Sequence, residues 1–219
     1  MTIRRKDRAR RDEAKAERRQ AILDASWATF QDAPYQSITM ADVAERIQLA
    51  KGTIYLYFKT KEELFLQLTQ DQLEAWFDEL DEALQDRRFD SAGLAAYLAG
   101  SLDGRAGLVR LLAILHSVIE QNVEFEAGLE FKEMLVRRMS RSGDLLEASL
   151  GFLAEGEGAL LLLRIHALIV GLYSMVDPPP GLAGMLNEPG MDILQVDFDR
   201  EFSQTILALL RGMEKRDNG

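Results

Sequence analysis

The chain has 219 residues, 47% of them hydrophobic, enough for a core larger than one small domain needs, so a second folding unit is expected. It has no cysteine, which excludes disulfides and thiolate metal sites and fits a reducing cytoplasm. The net charge of −10 is unevenly spread: residues 1–20 hold nine Lys/Arg against four Asp/Glu, residues 21–61 four against four, and residues 62–219 thirteen against 28.

Residues 1–17 read as a basic arm with almost nothing to bury, becoming helical only near Glu17 and suited to phosphate or minor-groove contact. The start, MTIRRKDRAR, lacks the apolar segment of a signal peptide. A first helix is predicted from Arg18 to Phe30, with Ile22, Leu23, Ser26, Trp27 and Phe30 on one side, and Pro34 ends the approach to the next.

The most informative stretch follows, SITMADVAERIQLAKGTIYLYFKTKEEL. Thr39 and Asp42 stand at capping-box spacing, with Ile38 and Val43 at the staple positions, so a helix of about two turns starts there. Met40, Val43, Ala44 and Ile47 form its apolar stripe. A short helix from Lys51 to Phe58 comes next, turning Leu49, Ile54 and Phe58 inward, and Thr60 with Glu63 repeats the capping pattern ahead of a helix at Lys61. Two short helices joined by a tight turn suggest a helix-turn-helix. The residues left outside, Lys51, Gly52, Thr53, Tyr55, Leu56 and Tyr57, carry donors and no acid, a face that suits a DNA groove.

With KGTIYLYFKTKEELF in place, residues 18–66 resemble the DNA-binding domain of TetR-family (tetracycline-repressor-like) transcriptional regulators. Two positions depart from that pattern: Gln48 stands where a turn glycine is frequent, at a cost of about 1 kcal/mol if φ is positive, and Ala50 stands where a capping serine is frequent. The resemblance implies an all-α chain in which a three-helix helix-turn-helix domain (18–66) is joined by a long helix to a helical effector-binding and dimerisation domain (67–219). Double-stranded operator DNA with two-fold half-sites is the expected partner. Base reading falls to Thr53, Tyr55 and Leu56, with Gly52 letting the backbone approach; phosphate contact falls to Lys51, Tyr57 and Lys61, and Thr39 also belongs to the DNA-binding set.

The connecting helix is predicted from Lys61 to Arg87, followed by helices over Ser91–Leu102, Arg105–Ile119 and Phe125–Phe152, the last weakened at Ser142 and Gly143. No sustained alternation supports a strand. GALLLLRIHALIVGLYSMV is apolar nearly all round and must be covered on every side; its longest unbroken apolar run, Ala159–Leu163, is far short of a membrane span. No membrane association is expected. In TetR-like proteins the two C-terminal helices of each subunit pair across a homodimer, which here implies Leu168 and Leu209 as interface residues.

The resemblance also implies a small-molecule effector held between the helices after the connector, with Trp76, Phe77, Tyr97, His116, Phe131, Met134 and Tyr173 as candidates by position. His116 and Glu120, one turn apart, could join His166 at a metal, but two histidines fifty residues apart without cysteine favour none, and no cofactor is expected. No nucleophile-elbow, zincin or phosphate-loop motif is present, so enzyme chemistry is not expected. The expected function is a repressor released from its operator by an effector. An effector-independent regulator working through a protein partner is the alternative, and a helical metalloenzyme a remote one.

Overall fold

The computed structural model describes residues 2–177 and 183–217, and among them every regular element is helical. Helix α1 spans Thr2–Asp32. It therefore starts far ahead of the Arg18 read from the sequence: the basic segment is built of Arg, Lys, Glu and Ala, good helix formers that need no buried face once a packed helix exists for them to extend. Helix α2 (Met40–Arg46) opens on the expected capping box, in which Asp42 N–H donates to Thr39 Oγ1 at 3.3 Å and Thr39 N–H to Asp42 Oδ2 at 2.7 Å. Helix α3 (Lys51–Ile54) is one α-helical turn. It tightens afterwards, with Leu56 N–H bonded to Thr53 O and Tyr57 N–H to Ile54 O, so the segment read as a helix to Phe58 is regular only at its start.

Helix α4 (Lys61–Asp86) is the connector. Thr60 accepts from Glu63 N–H at 3.0 Å, but the Glu63 carboxylate reaches back to Lys59 N–H rather than to Thr60, so the second cap is half a box. Then come α5 (Ser91–Gly100), α6 (Ala106–Ile114), α7 (Phe125–Leu150), α8 (Glu157–Val176) and α9 (Phe198–Asp217). Between α6 and α7 the chain widens into a π-helical turn over Leu115–Ile119 and closes in a 3-10 turn over Glu120–Asn122. Such widened turns gather at functional sites.

In the second domain α4 packs on α6 and α7, α8 on α6 and α7, and α9 on α5 and α8. The expected weak point in α7 is instead its tightest contact. Ser142 and Gly143 are buried; a Cβ on Gly143 would sit 2.6 Å from Ala159 N, and one on Gly158 would fall on the Gly143 carbonyl. Glycine lets the two backbones touch where any side chain would part them. A polar knot centred on buried Asp81 fastens α4 to α7 beside it: Ser142 Oγ donates to Asp81 Oδ1 at 2.5 Å, Arg141 Nε lies 3.0 Å from Asp81 Oδ2, and Arg138 reaches Asp78 at 2.7 Å, with Arg141 and Asp78 at the surface.

By length and composition α8 could cross a membrane, yet Leu161, Leu162, Ile165 and Ile169 are buried in the protein's own core and Arg164 and His166 interrupt it. Only 22% of its most apolar window is covered within one chain.

Candidate DNA interface and effector cavity

The helix-turn-helix is held by a small core in which Ile22, Phe30, Val43, Ile54 and Phe65 are almost wholly buried. Phe65 meets both Phe30 and Tyr35 edge-on, at 5.4 and 4.9 Å between centroids. The turn into α3 requires Gln48 at φ 54, the left-handed conformation for which glycine is the usual residue; the strain is of order 1 kcal/mol. Ala50 caps α3 with its backbone alone, Thr53 N–H bonding to Ala50 O at 2.8 Å.

With Ile54 and Phe58 inward, the outer face presents exposed Lys51, Gly52, Tyr55 and Leu56, while Thr53 and Tyr57 are half-buried. Leu56 is 77% exposed, a large apolar side chain left in water. Beyond Gly52 there is open space, so its backbone can be approached. Thr39 is exposed at the start of α2, with its hydroxyl engaged in the cap. Lys61 has a second occupation that its position in the sequence did not disclose: its amine donates to Tyr35 O and Ile38 O, both at 3.0 Å, and lies 3.8 Å from the Tyr35 ring centroid. Burial pulls its pKa down. One of its three donors remains for an outside acceptor.

The second domain encloses a cavity of about 150 Å³ bounded by α4, α6, α7, α8 and the π turn. Every lining side chain is apolar except His116, Lys132 and His166. Of the candidates read from sequence, Trp76, Phe77 and His116 line it. Phe131 and Met134 are buried on α7 but do not line it, and Tyr97 lies elsewhere, donating to Glu79 O and flanked by Phe89 and Arg87. Tyr173 borders a separate, more open cleft between the domains, beside Phe30, Pro34 and Arg110. A helix carries aromatic residues on several faces, and spacing alone does not say which face meets the hollow.

His116, Glu120 and His166 do come together. His116 Nδ1 is 3.0 Å from Glu120 Oε2, and its Nε2 is 3.1 Å from His166 Nε2. Lys132 closes the group at 2.6 Å from Glu120 Oε1. Glu120 thus lies behind His116, on the opposite side of the ring from His166, and among the described residues no three such groups share a point where a metal could sit. Burial pushes the Glu120 pKa up, but hydrogen bonds from Lys132 and His116 outweigh it and hold the carboxyl below its ordinary value. Burial lowers the His166 pKa, with repulsion from His116 and Lys132 adding to the effect and Glu120 opposing it.

Two contact zones join this domain to the helix-turn-helix, and neither was read from the sequence. Trp27 lies on the backbone of Gly107, where a Cβ would meet its ring, and Arg110 donates to Ala33 O at 2.9 Å with its guanidinium 4.2 Å from the Phe30 ring centroid. Lys59 pairs with Glu124, just ahead of α7, and that hydrogen bond raises the Lys59 pKa. The available signal was Gly107 inside a mainly apolar helix, a sign of close approach by another element. Along α8, Leu160, Leu163, Ala167, Gly171 and Met175 form an exposed stripe, with Leu168 half-buried at its edge and Leu209 half-buried on α9.

Comparison with known proteins agrees with this geometry. Residues 22–68 match the family described as bacterial regulatory proteins, tetR family, and residues 70–217 match the tetracyclin repressor-like C-terminal domain. The transcriptional regulator YhgD of Bacillus subtilis is 38% identical over 69 residues, 32% of this chain and 36% of that protein. The fatty acid metabolism regulator protein of the same organism is 22% identical over 139 residues, 62% of this chain and 66% of that protein. The chain therefore matches between about a third and two thirds of the length of these relatives. The crystal structure of the transcriptional regulator FadR from Bacillus subtilis in complex with stearoyl-CoA shares the fold, with a TM-score of 0.55 at 20% identity over 87% of this chain and 96% of that one. The chain belongs to the TetR family of bacterial helix-turn-helix transcriptional regulators.

Proposed function

We propose that the chain is a homodimeric, cytoplasmic, sequence-specific DNA-binding repressor, released from its operator when a hydrophobic small molecule enters the cavity beside Trp76 and Phe77. The observation that carries this reading is that the walls of the cavity are also the supports of the helix-turn-helix. Helix α4 starts under Tyr35 through Lys61 and lines the cavity further along. Helix α6 grips α1 through Gly107 and Arg110 and lines the cavity with Leu108 and Leu112. A ligand that favours one arrangement of α4 and α6 therefore favours one placement of the recognition helix.

Lys51, Tyr57 and the free donor of Lys61 are assigned to phosphates, Thr53, Tyr55 and Leu56 to base edges with Gly52 giving access, and Thr39 to the edge of the same face. The exposed stripe on α8 supports a second copy as the partner that covers it, because Ala167 and Gly171 let two α8 helices approach closely. Two recognition helices then meet successive major grooves about 34 Å apart, a spacing that a small rotation of each connector spoils. A hundredfold loss of operator affinity needs a coupling of only about 2.7 kcal/mol. FadR from Bacillus subtilis, similar in fold, was crystallised with stearoyl-CoA, which favours a lipid-like effector here.

Selection of bound DNA from random sequence, followed by anisotropy titrations with hydrophobic compounds, tests the reading. A two-fold symmetric site and a compound that releases it are expected. Binding without sequence preference, or a preference that no compound entering the cavity alters, would count against it.

A further inference from the structure

The cavity has one polar end and only one. Its indole N–H is committed elsewhere, Trp76 Nε1 donating to Ser101 Oγ at 3.0 Å. His116, His166 and Lys132 are the remaining polar groups on the wall, and they sit together at the π turn and the adjoining faces of α7 and α8. A ligand that fills the hollow must therefore be apolar along its length and can satisfy polar atoms at a single terminus.

The cluster also sets the kind of terminus. Glu120 accepts from Lys132 and fixes the proton of His116 on Nδ1, which leaves His116 Nε2 as a lone pair facing His166 Nε2. One proton then occupies the 3.1 Å gap between the rings. Lys132 has three donors with one given to Glu120, and its side chain is half-exposed. What the rim can still offer is N–H from Lys132, and from the histidine pair only once it takes up a second proton and with it a second positive charge. An amine end would meet the like charge of Lys132.

We infer that this cavity binds a hydrophobic acid or its acyl ester, the apolar chain lying along Trp76 and the carboxylate or acyl carbonyl oxygen held by Lys132 beside the His116–His166 pair. The inference rests on the reading of this cavity as the effector site, and it adds the chemistry of the ligand. A free carboxylate and an acyl thioester present the same oxygen to the rim and differ in charge. A carboxylate draws a proton onto the histidine pair. The groups facing His166 are His116 from the π turn, Glu120 from the 3-10 turn and Lys132 from α7, while α4 contributes only apolar side chains to the cavity.

Calorimetric titration of the chain without DNA decides it, with hexanoate, hexanoyl-CoA, hexanol and hexylamine as probes, six-carbon chains being what a cavity of about 150 Å³ can hold. Hexanoate or hexanoyl-CoA should bind at least tenfold more tightly than hexanol, and hexylamine weakest. Lys132→Met should weaken the acid or thioester roughly tenfold and leave hexanol within twofold, the loss of one charge-assisted hydrogen bond. If hexanoate is the ligand, its binding should take up protons, seen as buffer-dependent heats, and should be tighter at pH 6 than at pH 8. If only the thioester binds, the head is an uncharged carbonyl and Lys132→Met still weakens it. Hexanol or hexylamine binding as well as the acid and thioester, or no hexyl probe binding, or a Lys132→Met variant indistinguishable from the parent, overturns the inference. Operator release is measured apart: an acid that binds without releasing DNA contradicts the proposed switch and leaves this site standing. A non-acidic compound that binds as tightly as the acid and thioester and releases DNA leaves the switch standing and removes this site.

Discussion

Gly158→Ala adds one methyl group at the crossing of α7 and α8. The new Cβ would overlap the carbonyl oxygen, carbon and Cα of Gly143. All three are backbone atoms, so no side-chain rotation relieves the overlap and the helices must separate. Separation also strains the hydrogen bond from Gly158 N–H to Glu147 Oε1, now 2.9 Å. Overpacking of this kind costs about 1–3 kcal/mol, and the better helix propensity of alanine returns at most about 1. A net loss of about 1–2 kcal/mol corresponds to a fall in Tm of roughly 2–8 °C for a chain of this size. Gly128→Ala is the control, since its Cβ would meet only Val123 Cγ2 at an ordinary 3.6 Å, and it should hold or raise Tm. Thermal melts by circular dichroism at one protein concentration compare the three proteins. Gly158→Ala melting with the parent would mean that the two backbones do not touch, and the walls of the cavity, which these helices share, would then be placed differently.

Leu56→Ala should change preference at one base position per half-site while leaving nonspecific affinity intact, whereas Lys51→Ala should weaken all sequences alike and reduce the salt slope by about one ion; binding to randomised operators at several salt concentrations separates the two. Leu160→Asp places a charge on a side chain 42% exposed in one chain, so it should leave each subunit folded yet dissociate the dimer and weaken operator binding; sedimentation reads this, and an intact dimer would move the interface off the α8 stripe. Because His166 has a lowered folded pKa, the unfolded chain binds more protons as pH falls through about 6.5, so Tm of the ligand-free protein should drop from pH 7.5 to pH 5.5. In His166→Phe that drop should shrink, and an unchanged pH profile would show that this ring does not set it.

The helix-turn-helix was legible because its signals are local. Thr39 with Asp42, Thr60 with Glu63, and the inward pair Ile54 and Phe58 are fixed by spacing within one or two turns, and even the strain at Gln48 follows from the turn. What stayed hidden depends on contacts distant in sequence. The cavity wall selects Trp76 and Phe77 over Tyr97, Phe131, Met134 and Tyr173 according to which helix faces cross, and that crossing is set by Gly143 against Gly158, residues read locally only as a weak point. Lys61 looked free because its partners, Tyr35 O and Ile38 O, are backbone atoms of a different segment. The extension of α1 to Thr2 was missed because an amphipathic pattern was sought where charged helix formers suffice.

The central claim is that the cavity and the DNA face are energetically linked, and linkage is reciprocal. Its most direct test is the affinity of a cavity ligand measured twice, once on the free protein and once with saturating operator DNA. The account predicts weaker ligand binding in the presence of operator, by the same factor by which the ligand weakens operator binding. Equal ligand affinities with and without DNA would contradict it.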